Sequence, residues 1–196
     1  MKWIIILLLI STFLLAQDVT AIDVAFINEN SGYERIKVNN FFETLDINFK
    51  NKIINAAIDV SFNGQNIKEI HIGFDGTIIN RTINITSNKK ITAYKSWNNR
   101  TLVVIYKNAT RNDRLKINLS YKSSELLTDE PNMYLISQNI RFDDVESGHF
   151  NEVHVQINTP DDMDLIDYEP KHISERVKRG ISFKLGNDDI FFGTVE

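Results

Sequence analysis

Five asparagines stand in the spacing that accepts an N-linked sugar. Asn80-Arg81-Thr82, Asn84-Ile85-Thr86, Asn99-Arg100-Thr101, Asn108-Ala109-Thr110 and Asn118-Leu119-Ser120 all read N-x-S/T with no proline between. The chemistry is glycosylation of the side-chain amide, and it needs the asparagine on the protein surface. With 22 Asn and 24 Ser plus Thr in 196 residues, chance placement gives about 2.7 such triplets. Five within about 40 residues is an excess, so Asn80, Asn84, Asn99, Asn108 and Asn118 are assigned as glycosylation sites. At least two are expected to carry glycans in the native host.

Other reactive side chains form no comparable pattern. A metal site wants two or three histidines converging with carboxylates. His71, His149, His154 and His172 are scattered, and His154 sits with Glu152 on the wet face of an alternating stretch. Asp161, Asp162, Asp164 and Asp167 follow Pro160 without the register or closing glutamate of a calcium loop, so they read as a solvated turn. Cysteine is absent, and neither a G-x-S-x-G elbow nor H-E-x-x-H occurs. No catalytic, cofactor-binding or metal-binding residue is assigned, no cofactor is expected, and the chain is read as non-enzymatic. Tyr94, Trp97 and Tyr106 surround the Asn98-Asn99 turn, and such aromatics can stack sugar rings. The three-residue offset of Tyr94 and Trp97 puts them on opposite faces of a regular strand, which favours packing.

The elements that must position these residues are strands. Leu115, Ile117, Leu119 and Tyr121 alternate with Lys116, Asn118 and Ser120. Val153, Val155 and Ile157 alternate with Glu152, His154 and Gln156, and Ile79, Ile83 and Ile85 with Asn80, Thr82, Asn84 and Thr86. Period two places one set in a core and the other in water. Turn pairs such as Asn63-Gly64, Asp75-Gly76 and Asn98-Asn99 punctuate the runs. Only Lys171–Arg179 could form a short helix, or equally an extended arm. The reading is all-β, an antiparallel, immunoglobulin-like β-sandwich with two β units in tandem. The polar break over 123–131, ended by Pro131, divides residues 22–125 from a smaller unit at 132–196. The alternative is one continuous sandwich crossing over at that break.

The N-terminus supplies the address. Met1-Lys2-Trp3 is a basic start, Ile4–Leu15 is an uncharged apolar run, and Val19-Thr20-Ala21 ends the stretch in small residues. That is the layout of a cleaved secretory signal peptide over 1–21, its run too short for the ~20 residues of a spanning helix. Export without any cysteine points to a prokaryote. A net charge of −4 with no basic block argues against nucleic acid as a partner, and no stable membrane span is expected once the signal is cut.

Signal peptide, alternating strands, clustered sequons and no cysteine together resemble uncharacterised exported β-sandwich proteins of archaea. The resemblance implies a secreted or cell-surface location and brings no functional residues with it. The expected activity is adhesion, structural association or service as an accessory subunit, with an envelope protein or glycan as partner. The alternative is a carbohydrate-binding module using Trp97 and a tyrosine.

Overall fold

The computed structural model describes residues 22–28, 37–63, 67–95, 98–106, 113–123, 128–130, 133–138, 140–143, 152–169, 174–178, 180–185 and 191–196. The expected signal peptide, Asn108, Trp97, His149 and His172 lie outside them. In chain order the strands are β1 (Ile22–Asn28), β2 (Lys37–Asn48), β3 (Ile53–Asn63), β4 (Ile67–Phe74), β5 (Gly76–Ile78), β6 (Asn84–Ser87), β7 (Ile91–Lys95) and β8 (Thr101–Tyr106). They continue with β9 (Asp113–Ser123), β10 (Thr128–Glu130), β11 (Met133–Gln138), β12 (Ile140–Asp143) and β13 (Glu152–Asn158). The last are β14 (Leu165–Glu169), β15 (Ser174–Val177), β16 (Gly180–Leu185) and β17 (Phe191–Val195). Among the described residues the only helical piece is a 3₁₀ turn at Asn80–Thr82, and no helix is long and apolar enough to cross a membrane. The all-β class stands.

Three sheets result. Eight strands form the widest, in the order β15-β16-β13-β2-β3-β9-β5 with β6 also on β9. Five form the second, β12-β1-β4-β8-β7, and four the third, β10-β11-β17-β14. Pairing is antiparallel except at β1–β12 and β2–β13, which run parallel. Parallel neighbours need a long return path, and here it is supplied by about a hundred residues of intervening β-structure in place of a helix. The expected division at 123–132 is crossed at both places: β13 extends the sheet of β2 over seven residue pairs, and β12 that of β1 over four. Strands from both stretches therefore share sheets.

Alternation explains the core. On β3 the even-numbered Ile54, Ile58, Val60 and Phe62 are buried, while Asn55 and Ala57 are exposed and Asp59 and Ser61 half-buried. Rings from facing sheets meet there: Phe62 and Tyr106 edge to face at 5.8 Å, Phe74 and Tyr121 at 5.3 Å. Val153, Val155, Ile157, Ile181, Phe183, Leu165 and Val195 belong to the same apolar cluster as Val24, Phe41 and Ile70. Each buried aliphatic or aromatic side chain removes enough surface from water to contribute about 1.5–3 kcal/mol.

Local chemistry sets the corners. At Asp75 the chain leaves the five-stranded sheet and Gly76 opens β5 in the eight-stranded one, where a Cβ would stand 2.4 Å from the carbonyl oxygen of Lys122. Gly180 has φ 140°, and a Cβ there would meet the Ile157 carbonyl oxygen at 1.9 Å. Two expectations change. Residues 80–82 turn instead of continuing the strand, because the Thr82 hydroxyl donates to the Ile79 carbonyl and closes the chain on itself. The acidic segment expected as a loop runs into β14, which pairs with β17, while the stretch 171–179, read as a short helix or an extended arm, carries a strand at Ser174–Val177.

Candidate functional site

The outer face of the eight-stranded sheet is the widest regular surface in the described structure. Backbone register aligns its residues in rows. One row runs Lys184 (β16), His154 (β13), Phe42 (β2), Asp59 (β3), Lys116 (β9) and Thr86 (β6). The next runs Ser182, Gln156, Thr44, Ala57, Asn118 and Asn84.

Phe42 is the outlier on this polar surface. Phe41 and Phe42 are neighbours on one strand, so only one ring can face the core. Phe41 is fully buried, and Phe42 is left 45% exposed in the middle of the sheet. It stacks on the His154 imidazole across the parallel β2–β13 pair, with ring centroids 4.8 Å apart and planes 18° from parallel. Charged and amide groups surround the pair. Arg114 grips Asp59 through two bonds, Nε to Oδ1 at 2.8 Å and Nη2 to Oδ2 at 2.5 Å, and Lys116 adds a contact at 3.3 Å. Further along, Gln156 donates to Asn158, Asn158 donates to Asp46, and Ser120 donates to Asn55. The exposed ring thus stands among polar side chains that bond one another.

The Arg114 hydrogen bond holds the Asp59 carboxyl below its ordinary 3.8, against the opposing effect of burial, with Lys116 helping. The folded carboxyl ionises at lower pH than the unfolded one. Its stabilisation is therefore complete above the unfolded pKa and drains away as pH falls through the folded value. Asp59→Asn should lower the urea midpoint at pH 7, and the gap to wild type should close as the solution is acidified below about 3.8. A gap that persists undiminished at pH 2 would mean the loss comes from packing instead.

Buried polar groups lie on the inner side. Glu43 faces the core of β2 at 2% exposure, beside Val155 and Ile58 in register. Burial, then the charges of Glu43 and Asp75, push the Tyr121 hydroxyl well above its ordinary range. Burial does the same to Tyr106, opposed by a Ser87 hydrogen bond and assisted by Asp113. Both tyrosines stay protonated in the fold and serve as core rings.

The residues singled out from sequence separate. Asn80, Asn84, Asn99 and Asn118 are all exposed. Asn84 and Asn118 are direct cross-strand partners on the outer face. β9 and β2 are separated by β3 alone, about 10 Å at the usual strand spacing, so two sequons share a sheet face with Phe42 and His154. Tyr94 is exposed on β7 while Tyr106 points into the core, so the two form no common platform. His71 pairs with Glu69 at 2.8 Å on β4 of the five-stranded sheet. Asp161, Asp162, Asp164 and Asp167 are exposed, and no group of three or more His, Asp or Glu converges among the described residues. Phe42 carries no sequence motif; its only signal is the doubled phenylalanine within a strand.

No family model and no curated protein matches the chain. Its fold is similar to that of solved M1 zinc metallopeptidases. A mutant of a two-domain M1 zinc metallopeptidase bound to L-tryptophan superposes with a TM-score of 0.52 at 7% identity, over 83% of this chain and 43% of that one. The M1 zinc metallopeptidase from Deinococcus radiodurans gives 0.52 at 8% identity, over 83% and 42%. The likeness is one of fold, and this chain spans about two fifths of the length of those structures.

Proposed function

We propose that this protein is a non-enzymatic, exported component of the cell envelope that acts by surface contact, as an adhesive or structural module or an accessory subunit. The Phe42–His154 stack on the outer face of the eight-stranded sheet supports this reading. Aromatic anchors ringed by polar groups dominate binding at protein interfaces, and nothing in the register of this sheet requires Phe42 for the core. The accessory role draws on the fold likeness: a similar β-structure occurs within a two-domain peptidase chain, as part of a larger whole. A second reading, a carbohydrate-binding module, is favoured by the same exposed ring among amide and hydroxyl side chains, with Phe42 in place of Trp97 as the stacking platform.

Fluorescently labelled protein and its Phe42→Ala variant, titrated onto intact host cells, test both. Loss of a hot-spot aromatic costs at least about 2 kcal/mol, roughly thirtyfold in Kd. A thirtyfold loss that free sugars do not mimic by competition supports protein contact. Displacement of the wild type by a simple sugar moves the assignment to carbohydrate. Equal binding of wild type and variant removes this face from the function.

A further inference from the structure

The four described sequons differ in what the fold has done with the hydroxyl that completes each one. The N-x-S/T requirement means that the transferase reads that hydroxyl as well as the asparagine. In Asn80-Arg81-Thr82 the hydroxyl is spent twice: Thr82 Oγ1 donates to the Ile79 carbonyl at 2.7 Å and accepts from the Ser120 amide at 2.8 Å. In Asn118-Leu119-Ser120, Ser120 Oγ donates to Asn55 Oδ1 at 2.7 Å, and Leu119 is buried in the core. Asn84-Ile85-Thr86 keeps its hydroxyl, but all three residues are paired to β9, Ile85 packs on the core, and Asn84 faces Asn118 directly.

Asn99-Arg100-Thr101 is different. Asn98, Asn99 and Arg100 are all exposed in the turn before β8. Asn99 has φ 58°, a left-handed conformation that asparagine tolerates better than most residues, at the tip of the turn. Its carbonyl accepts from the Ile78 amide at 2.8 Å, anchoring the turn beside β5, the terminal strand of the eight-stranded sheet. Thr101 pairs with Gly73 of β4 and the Arg100 carbonyl accepts from the Phe74 amide at 2.9 Å, but among the described residues no side-chain hydrogen bond engages Thr101, and Asn99 itself lies outside any strand pairing.

We infer that, among the four described sequons, Asn99 is the glycan acceptor of the folded protein, and that Asn80, Asn84 and Asn118 can be modified only before β6 and the 80–82 turn close onto β9. The donor is an oligosaccharide linked through C1 to a polyprenyl phosphate or pyrophosphate. The Asn99 Nδ2 bonds to C1 and the C1–O bond to phosphate breaks. The electron pair leaves with the lipid phosphate, and the amide nitrogen gives up one proton. A glycan at Asn99 stands on a turn outside the rows that carry Phe42, so the outer face stays open when the sugar is added after folding.

The full-length folded chain is incubated with an N-x-S/T-specific oligosaccharyltransferase and lipid-linked oligosaccharide, beside synthetic peptides spanning 77–88, 95–105 and 114–124. Neither export nor a binding partner enters this experiment, so it stands apart from the proposed function. Site-resolved mass spectrometry should find sugar at Asn99 in both chain and peptide. Occupancy at Asn80, Asn84 and Asn118 should fall about tenfold or more from peptide to folded chain, because reaction there waits on local opening. Thr101→Ser should keep the Asn99 glycan and Thr101→Val should lose it. Modification of the folded chain at any of the three sheet-bound sites as readily as at Asn99 overturns the inference, as does a bare Asn99 in the folded chain beside a modified peptide.

Discussion

A protein comprising residues 22–125 alone is expected to show no cooperative thermal transition and no stable β signature by far-UV circular dichroism. The cut removes β13, which hydrogen-bonds β2 along seven residue pairs, and leaves β2 as a bare edge twelve residues long. It also removes Val153, Val155 and Ile157 from the core. At about 1.5–3 kcal/mol for each buried side chain, those three rival the whole margin of stability of an ordinary domain, about 5–15 kcal/mol. Phe183, Ile181, Leu165 and Val195 are lost with them. A long, unpaired strand is moreover a template for aggregation, so the fragment should be recovered mostly insoluble. A soluble fragment melting cooperatively would show that residues 22–125 form a unit of their own, despite the shared sheets.

Adjacent phenylalanines should give opposite results. Phe41→Ala empties a fully buried position and is expected to cost about 3–5 kcal/mol, the range for buried aromatics cut to alanine. Phe42→Ala, one residue on, removes a ring that is 45% exposed and whose stacking on His154 is worth about 0.5–1.5 kcal/mol. Urea titration of the two variants measures the difference directly. Equal losses would mean that Phe42 packs as a core residue, and the outer face would then lose its claim to a binding role. A small loss at Phe42 also makes that variant a well-folded reagent for the cell-binding titration.

Much of the β-structure was legible because period two is a local property. The alternation over 115–121 and 153–157 marks β9 and β13, and β4 falls at Ile67–Phe74 as the apolar run and its flanking turns indicate. Where a side chain competes with the backbone, the local pattern misleads. Thr82 spends its hydroxyl on the Ile79 carbonyl and turns a stretch that alternates like a strand. The acidic residues after Pro160 hid β14, whose strand character comes from pairing with β17 and is not visible in its own composition.

The candidate surface was less legible. The surface character of the described sequon asparagines followed from alternation and turns, and each is exposed. That Asn84 faces Asn118, and that both share a sheet face with His154, depends on which strands are neighbours.

What the sequence determined by itself is the all-β class and, along the regularly alternating strands, which side chains face inward, because pleating imposes a two-residue period whatever the partner. Only the tertiary structure decided that β2 pairs with β13 and β1 with β12 across about a hundred residues of chain. It also decided that Phe42 meets His154, and that Thr82 and Ser120 spend the hydroxyls of their sequons. Strand pairing is fixed by the joint burial of faces distant in sequence, and no window along the chain contains both halves of that contact.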